Sequence, residues 1–111
     1  MDWIPLTTLE QIEIIRIASN KMPQVIFKHS TRCSISSMAK NRLEQAPQPN
    51  NITFYYVNVI AHRDISNKIA GIFNVHHESP QILLIKNGAC TYNESHTNIQ
   101  MEAIMASLQK S

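Results

Sequence analysis

Residues 24–43 read Gln-Val-Ile-Phe-Lys-His-Ser-Thr-Arg-Cys-Ser-Ile-Ser-Ser-Met-Ala-Lys-Asn-Arg-Leu, and this stretch decides the fold. Its first part, 24–28, is a short apolar run with β-forming residues, which predicts a buried strand. Residues 29–32 are polar and predict a loop. From Cys33 the apolar period becomes helical, with Ile35, Met38, Ala39 and Leu43 on one predicted face. Cys33 is therefore expected where a strand is followed by a helix.

This position favours a reactive thiol at Cys33. The first amides of a helix have no partner within the helix, and the helix dipole is positive at that end. Both effects stabilise a thiolate, and the neighbouring Arg32 adds a positive charge. Three residues on stands Ser36, so the motif is Cys-x-x-Ser, with one nucleophile and one hydroxyl. The alternative is an inert, buried cysteine at an ordinary strand–helix junction.

Composition excludes several classes of protein. A chain of 111 residues with 43% hydrophobic content suits a single domain over 1–111. The net charge of +2 is too weak and dispersed to indicate nucleic acid. No apolar run approaches the roughly 20 residues of a membrane span, and the first residues do not resemble a signal peptide. Two cysteines far apart in sequence suggest no disulfide scaffold, so a reducing cytoplasm is expected.

The rest of the chain predicts three further helices and three further strands. A capping box of Thr7 and Glu10 is expected to start the first helix, and Asp64 to cap the helix that ends near Asn74. Strands are predicted at 52–59, 81–86 and 89–93, the last two joined by an Asn87-Gly88 hairpin turn. The cap of the last helix is expected at Thr97 or Asn98.

The predicted order is αβαβαββα, which belongs to the α/β class. It gives a mixed four-stranded sheet covered by helices on both faces. This order is similar to the thioredoxin fold with an extra leading helix. In that fold a proline after the crossover helix, usually in a cis peptide, faces the reactive cysteine. Pro80 stands at the corresponding place, so we expect a cis Ser79–Pro80 bond, although a proline also commonly starts a strand.

Several motifs together resemble the YtxJ-type monothiol bacilliredoxins, which are thioredoxin-like proteins of bacteria that use bacillithiol. The motifs are Phe-Lys-His-Ser-Thr-Arg-Cys-Ser-Ile-Ser at 27–36, Ile-Ala-His-Arg at 60–63, Ser-Asn at 66–67, His-Glu-Ser-Pro-Gln at 77–81 and Asn-Glu-Ser-His at 93–96. The resemblance spans about 8–108. One departure stands out: the family commonly carries proline after the cysteine, and this chain has Ser34.

The resemblance implies a monothiol thiol–disulfide oxidoreductase that removes bacillithiol from mixed disulfides on client proteins. Cys33 would be the catalytic residue, with bacillithiol as a co-substrate and no bound cofactor. The implied partners are bacillithiol and bacillithiolated clients, without nucleic acid or membrane. The residues expected to bind the substrate are Thr31, Arg32, Ser36, Ser79, Pro80, Ser95 and His96.

For several residues near Cys33 a second role remains open. Ser95 and His96 are expected to return to the Cys33 end of the sheet, where a helix start can receive carboxylates; they could also simply cap the helix. Arg32 could steer carboxylates or only be solvated. His29 could tune the thiolate, or its ring could close the loop.

A second thiol and a metal site are both unexpected. Cys90 follows the hairpin turn, about 20 Å of extended chain from Pro80, and a disulfide needs Cα atoms within about 7 Å. We therefore predict that Cys90 is a packing or edge-strand residue. His76 and His77 are adjacent and point apart in extended chain, so a closed zinc site lacks ligands.

Two other functions compete with the leading hypothesis. One is a carrier that holds an iron–sulfur cluster between Cys33 and a small thiol across a dimer, as monothiol glutaredoxins do. Their Cys-Gly-Phe-Ser motif is absent here. The other is a redox-inert interaction module that keeps the fold and an unreactive cysteine.

Overall fold

A computed structural model describes residues 1–109 of the chain. Its elements follow in chain order: β1 (Ile4–Pro5), α1 (Glu10–Ala18), β2 (Gln24–His29), α2 (Ser34–Gln45), β3 (Thr53–Asn58), α3 (Arg63–Phe73), β4 (Gln81–Lys86), β5 (Ala89–Ser95), a 3₁₀ turn (His96–Asn98) and α4 (Met101–Leu108). Every helix and strand predicted from the sequence is present, with shifts of a few residues at the ends.

The sheet has five strands in the order β1-β3-β2-β4-β5. Strand β3 runs parallel to β1 and β2, while β4 is antiparallel to β2 and β5. The predicted four-stranded sheet was therefore short by one strand. Strand β1 has only two residues, too few for an alternating pattern, and one is Pro5. Proline is tolerated there because β1 is an edge strand.

Strand β2 lies at the centre of the sheet, and all six of its residues are buried. Its side chains alternate between two apolar cores. Ile26 faces the core that contains residues of α1 and α3, whereas Val25 and Phe27 face the core formed with α2 and α4. A strand buried on both faces explains the continuous apolar run in the sequence.

The predicted capping box at the first helix is wrong. Helix α1 begins at Glu10, its N-cap is Leu9, and no side chain caps it. The side chain of Gln11 binds the backbone ahead of the helix instead. Its Oε1 accepts hydrogen bonds from the backbone N–H of Thr7 at 2.7 Å and of Thr8 at 3.0 Å. The loop before α1 is thus closed by an amide rather than by a hydroxyl.

The predicted caps of two other helices also need correction. Helix α3 starts two residues earlier than expected, so Asp64 lies in its first turn and His62 is the N-cap. A 3₁₀ turn contains both Thr97 and Asn98, and α4 begins only at Met101. The capping preference of these residue types is shared by turns, so the sequence could not separate the two structures.

Helix α2 buries a different face from the one predicted. Ser36, Ala39 and Leu43 are buried, whereas Ile35 is 42% exposed and Met38 is 63% exposed. The spacing of the buried residues is helical, but the first of them is a serine. A prediction from apolar residues alone therefore placed the buried face of α2 part of a turn away from its observed position.

The turn predictions at the other end of the sheet are confirmed. Asn87 and Gly88 both have positive φ, at 52° and 80°, as a tight hairpin turn requires. Asn74 ends α3 in the left-handed conformation.

Within residues 1–109 no helix has the length and apolar character needed to cross a membrane.

Candidate active site

Cys33 is the N-cap of α2, as the sequence predicts. Its backbone is extended, with φ −111° and ψ 119°, and the residue is half-buried. The Cys33 N–H donates to the Ser30 carbonyl at 3.2 Å, and its own carbonyl accepts the first helical bond from Ser37 at 3.1 Å. The sulfur therefore stands at the start of α2, beside amides that a helix cannot satisfy itself.

Four strand ends converge at the Cys33 end of the sheet. The register pairs His29 with Asn58 at the ends of β2 and β3, and it pairs Gln81 with both Lys28 and Ser95. Pro80 and Ser95 are thereby brought to the end of the sheet where Cys33 lies. The Ser79–Pro80 peptide is cis, as predicted.

Residues 76–80, which we call the proline loop, present an open backbone edge. In the part of the chain that the structure describes, neither the N–H nor the C=O of Ser79 has a hydrogen-bond partner, whereas the Pro80 carbonyl accepts from the His96 N–H at 2.9 Å. The Ser79 hydroxyl oxygen is also buried without a partner. Unpaired backbone groups of this kind are places where an extended ligand can bind.

The exposed residues of the loop before α2 are Thr31 and Arg32. Thr31 lines a cavity of about 280 Å³ together with Tyr56, Asn58, Ala61 and His62. The Asn58 side chain shapes this cavity by accepting the backbone N–H of Ile60 at 3.0 Å. This recess lies on the β3 side of β2, whereas the proline loop leads into β4 on the other side.

Ser36 requires a correction, because it is 0% exposed. Its oxygen accepts the Ser30 N–H at 3.0 Å and lies 2.7 Å from His29 Nδ1. The hydroxyl is thus occupied in closing the loop between β2 and α2 and presents no surface to a substrate. We assign Ser36 a positioning role, in which it holds the turn that carries Cys33.

His29 shares this loop-closing role. Its ring is buried and stacks on Phe27, with ring centroids 5.6 Å apart. Burial lowers the pKa of His29, and the nearby Lys40 lowers it further. The imidazole is therefore neutral at neutral pH and can accept a hydrogen bond from Ser36 through Nδ1. Of the two roles considered for His29, loop closure has direct structural support.

Trp3 extends the same aromatic stack, and sequence reasoning missed it. Its ring lies 5.5 Å from Phe27, and its Nε1–H donates to Glu44 at 2.8 Å. The indole thus packs the first residues of the chain against the core that supports α2. An isolated tryptophan near the N-terminus gives no periodic pattern, so nothing in the sequence indicated this contact.

Glu78 in the proline loop stands between two histidines. Its carboxylate lies 3.4 Å from His96 Nε2 and 3.7 Å from His76 Nε2. The predicted helix start after His96 is a three-residue 3₁₀ turn, and α4 begins further on. The expectation that helix amides here receive carboxylates therefore loses its basis, and His96 could contribute only through its ring.

Lys28 is the most unexpected residue of the site, because it is 0% exposed. Its Nζ donates to the Ser66 carbonyl at 3.1 Å and lies 3.1 Å from His77 Nδ1. The Ser66 hydroxyl also lies 3.1 Å from that nitrogen. Burial lowers the pKa of Lys28 to about 8, and burial together with Lys28 lowers the pKa of His77. A lysine inside an apolar strand was the available sign, and it was overlooked.

Cys90 lies at the other end of the sheet, as predicted. It pairs with Ile85, four positions along β4 from Gln81, which is about 13 Å. Both cysteines are free. Burial raises the pKa of Cys90, and its thiol donates to the Tyr92 carbonyl at 3.3 Å.

Among residues 1–109, no three His, Cys, Asp or Glu side chains are grouped to hold a metal ion.

Solved structures with the same architecture fall into two groups. One, whose name describes a thioredoxin fold and an inferred oxidoreductase activity, is 31% identical, with a TM-score of 0.84 over 96% of this chain and 93% of its own. The thioredoxin of Trypanosoma brucei brucei is 15% identical, with a TM-score of 0.73 over 98% and 89% of the two chains. A thioredoxin of Malassezia sympodialis is 19% identical, with a TM-score of 0.72 over 98% and 90%. The last two establish the fold alone.

Fold and site together define a thiol redox protein of the thioredoxin superfamily. A protein-family model described as monothiol bacilliredoxin BrxC matches residues 4–104. The chain therefore belongs to the monothiol bacilliredoxin BrxC family, as the motifs indicated.

Ser34, which stands where the family commonly has proline, gives a prediction about stability. Ser34 is the first residue of α2, where proline is favoured, and the backbone of Cys33 is extended as a residue before proline must be. Ser34→Pro should therefore stabilise the domain by about 0.4–1 kcal/mol, because it restricts the unfolded chain. Urea denaturation measures this change.

The matched control for Ser34→Pro is Ser37→Pro, in the same helical turn. The Ser37 N–H donates to the Cys33 carbonyl, so proline there removes a hydrogen bond and should destabilise the domain. A lower urea midpoint for Ser34→Pro would show that the start of α2 is not free to accept proline.

Proposed function

We propose that this protein removes bacillithiol from mixed disulfides on client proteins, with Cys33 as its nucleophile. The observation that supports the proposal most is the half-buried Cys33 at the start of α2, at the same end of the sheet as Ser79, whose backbone N–H and C=O have no hydrogen-bond partner among residues 1–109. The residue three positions on is a buried serine, and Cys90 is remote. The site therefore suits a one-thiol mechanism.

In the first step, the Cys33 thiolate attacks the bacillithiol sulfur of the mixed disulfide. The bond between that sulfur and the client sulfur breaks, and the client leaves as a thiolate that takes a proton from water. Cys33 then carries bacillithiol in a new disulfide.

In the second step, a second bacillithiol thiolate attacks the bacillithiol sulfur bound to Cys33. Bacillithiol disulfide forms, and Cys33 leaves as a thiolate. Overall, one disulfide bond is exchanged for another: the client sulfur is reduced to a thiol, the second bacillithiol is oxidised, and a separate reductase recycles the bacillithiol disulfide.

The substrate would lie along the proline loop. The Ser79 N–H and C=O would pair with the cysteinyl part of bacillithiol, while Pro80 supports it from below. Thr31 and Arg32 are exposed beside Cys33, and the positive charge of Arg32 suits the malate carboxylates. Ser95 and His96 lie at the far edge of the loop, where His96 Nε2 contacts the Glu78 carboxylate.

The cellular setting follows from this chemistry. A monothiol exchange that ends in bacillithiol disulfide needs a pool of reduced bacillithiol, so we place the protein in the cytoplasm of a bacterium that makes bacillithiol. Its partners would be bacillithiolated clients and bacillithiol itself, without a bound cofactor, a nucleic acid or a membrane.

The direct test is release of client thiol from a bacillithiolated model protein in the presence of bacillithiol. We expect the wild-type protein to accelerate this release and to act more slowly on the same client carrying glutathione. No acceleration with the bacillithiol conjugate would contradict the proposal. A visible absorption band after anaerobic reconstitution with iron and sulfide would favour the cluster-carrier alternative.

A further inference from the structure

We propose that Lys28 is a positioning residue, which holds the proline loop in the conformation that receives the substrate. The inference rests on the proposed function for its meaning, but its structural part can be tested separately. Lys28 lies on β2, and its ammonium reaches across to His77 in the proline loop and to Ser66 on α3.

The burial of Lys28 is costly, which argues against a purely structural role. A charged ammonium removed from water needs strong compensation, usually a carboxylate. Within the described residues 1–109, the two hydrogen-bond partners of Lys28 are neutral acceptors, the Ser66 carbonyl and the His77 ring, since the pKa of His77 is lowered. A methionine of similar length would fill the same space without that cost. The ammonium thus contributes something other than stability.

What the ammonium contributes is an anchor under the proline loop. His77 Nδ1 has a single lone pair, and it faces both the Lys28 ammonium and the Ser66 hydroxyl. These contacts fix the ring of His77, which is two residues before Ser79. A hydrogen bond from a charged donor is about twice as strong as a neutral one, so Lys28 is the stronger of the two supports.

The side chain of Gln81 holds the backbone of the same loop. Its side-chain Nε2 donates to the His76 carbonyl at 3.0 Å, and its Oε1 accepts the Glu78 N–H at 3.4 Å. Gln81 is also the residue of β4 that pairs directly with Lys28. Lys28 on β2 and Gln81 on β4 therefore both hold the proline loop. Lys28 does so through the ring of His77, and Gln81 does so through the main chain of the loop. The free edge of Ser79 is presented between these supports.

The test compares Lys28→Met with wild type in the client-release assay. We expect KM for the bacillithiolated client to rise about tenfold, with kcat changed less than threefold. Alkylation of Cys33 by iodoacetamide should keep its wild-type rate, because Lys28 acts on the loop and not on the sulfur. The denaturation midpoint should equal or exceed that of wild type. Lys68→Met, an exposed lysine of α3, is the matched control and should leave every readout unchanged.

A second pair of variants keeps the inference testable should Lys28→Met fail to fold. His77→Leu removes the acceptor and should raise KM in the same way. His77→Asn should restore most of the wild-type KM, because its side-chain oxygen can take the place of Nδ1. A merely structural role would give no such rescue.

Hydrogen exchange separates this inference from the proposed function. In Lys28→Met, the amides of Glu78 and His96, which donate to Gln81 Oε1 and to the Pro80 carbonyl, should exchange faster than in wild type, whether or not the protein acts on bacillithiol. If wild type fails in the assay but these amides respond, the proposed function fails and the anchor stands. An unchanged KM with unchanged exchange in Lys28→Met, or equal KM values for the Leu and Asn variants of His77, would overturn the inference.

Discussion

Replacing Cys33 by alanine should reduce the release of thiol from a bacillithiolated client to the uncatalysed rate. In the proposed mechanism the Cys33 sulfur is the attacking group in the first step and the leaving group in the second. Alanine has no atom that can attack a disulfide. The side chain is half-buried at the start of α2, so its loss should barely change the fold. The measurement is the initial rate with wild type and variant at equal concentration, with circular dichroism to confirm folding.

Cys90→Ala is the matched control for this experiment. Cys90 is the other cysteine, it is free, and it lies at the opposite end of the sheet. Its replacement should leave the rate of thiol release at the wild-type value. Equal rates for wild type and Cys33→Ala would defeat the enzyme assignment and favour a redox-inert interaction module. A large loss of rate in Cys90→Ala would mean that the one-thiol mechanism is wrong.

Ser36→Ala should destabilise the domain by about 2–4 kcal/mol, since it removes the partner of two groups at once. The Ser30 N–H and His29 Nδ1 both contact the Ser36 oxygen, and the His29 ring is buried. Among residues 1–109 neither group has another hydrogen-bond partner, and water has little access to the ring. The free energy of unfolding from urea titration measures this change.

Ser37→Ala is the control, because Ser37 is exposed on the next position of α2. The same chemical change there should alter the free energy of unfolding by no more than about 0.5 kcal/mol. If the two variants were equally stable, the contacts of Ser36 would be incidental, and the loop that presents Cys33 would be held by other groups.

The sequence predicted the elements that have strong local patterns. The apolar run of β2, the start of a helix at Cys33 and the Asn87-Gly88 turn follow from periodicity and from backbone preferences, and the structure confirms them. The expected convergence of Pro80 and Ser95 at the Cys33 end followed from strand order alone. Topology was therefore enough to bring these parts of the site together.

What the sequence could not supply were contacts between distant parts of the chain. Ser36 was expected from the family resemblance to bind the substrate, but its hydroxyl contacts His29 Nδ1 inside the protein. The buried face of α2 was misplaced for the same reason, since a serine begins it. Lys28 meets a partner 49 residues away, so its burial is determined by tertiary structure.

The central claim is that one sulfur performs the exchange without a second thiol, and intact-mass spectrometry tests it most directly. Wild-type protein is mixed with one equivalent of bacillithiolated client and no free bacillithiol. We predict that client thiol is released and that the protein gains the mass of one bacillithiol less two hydrogens, mapped by peptide digestion to Cys33. A protein that instead loses two hydrogens to form a Cys33–Cys90 disulfide, or that gains no mass at all, would contradict the account.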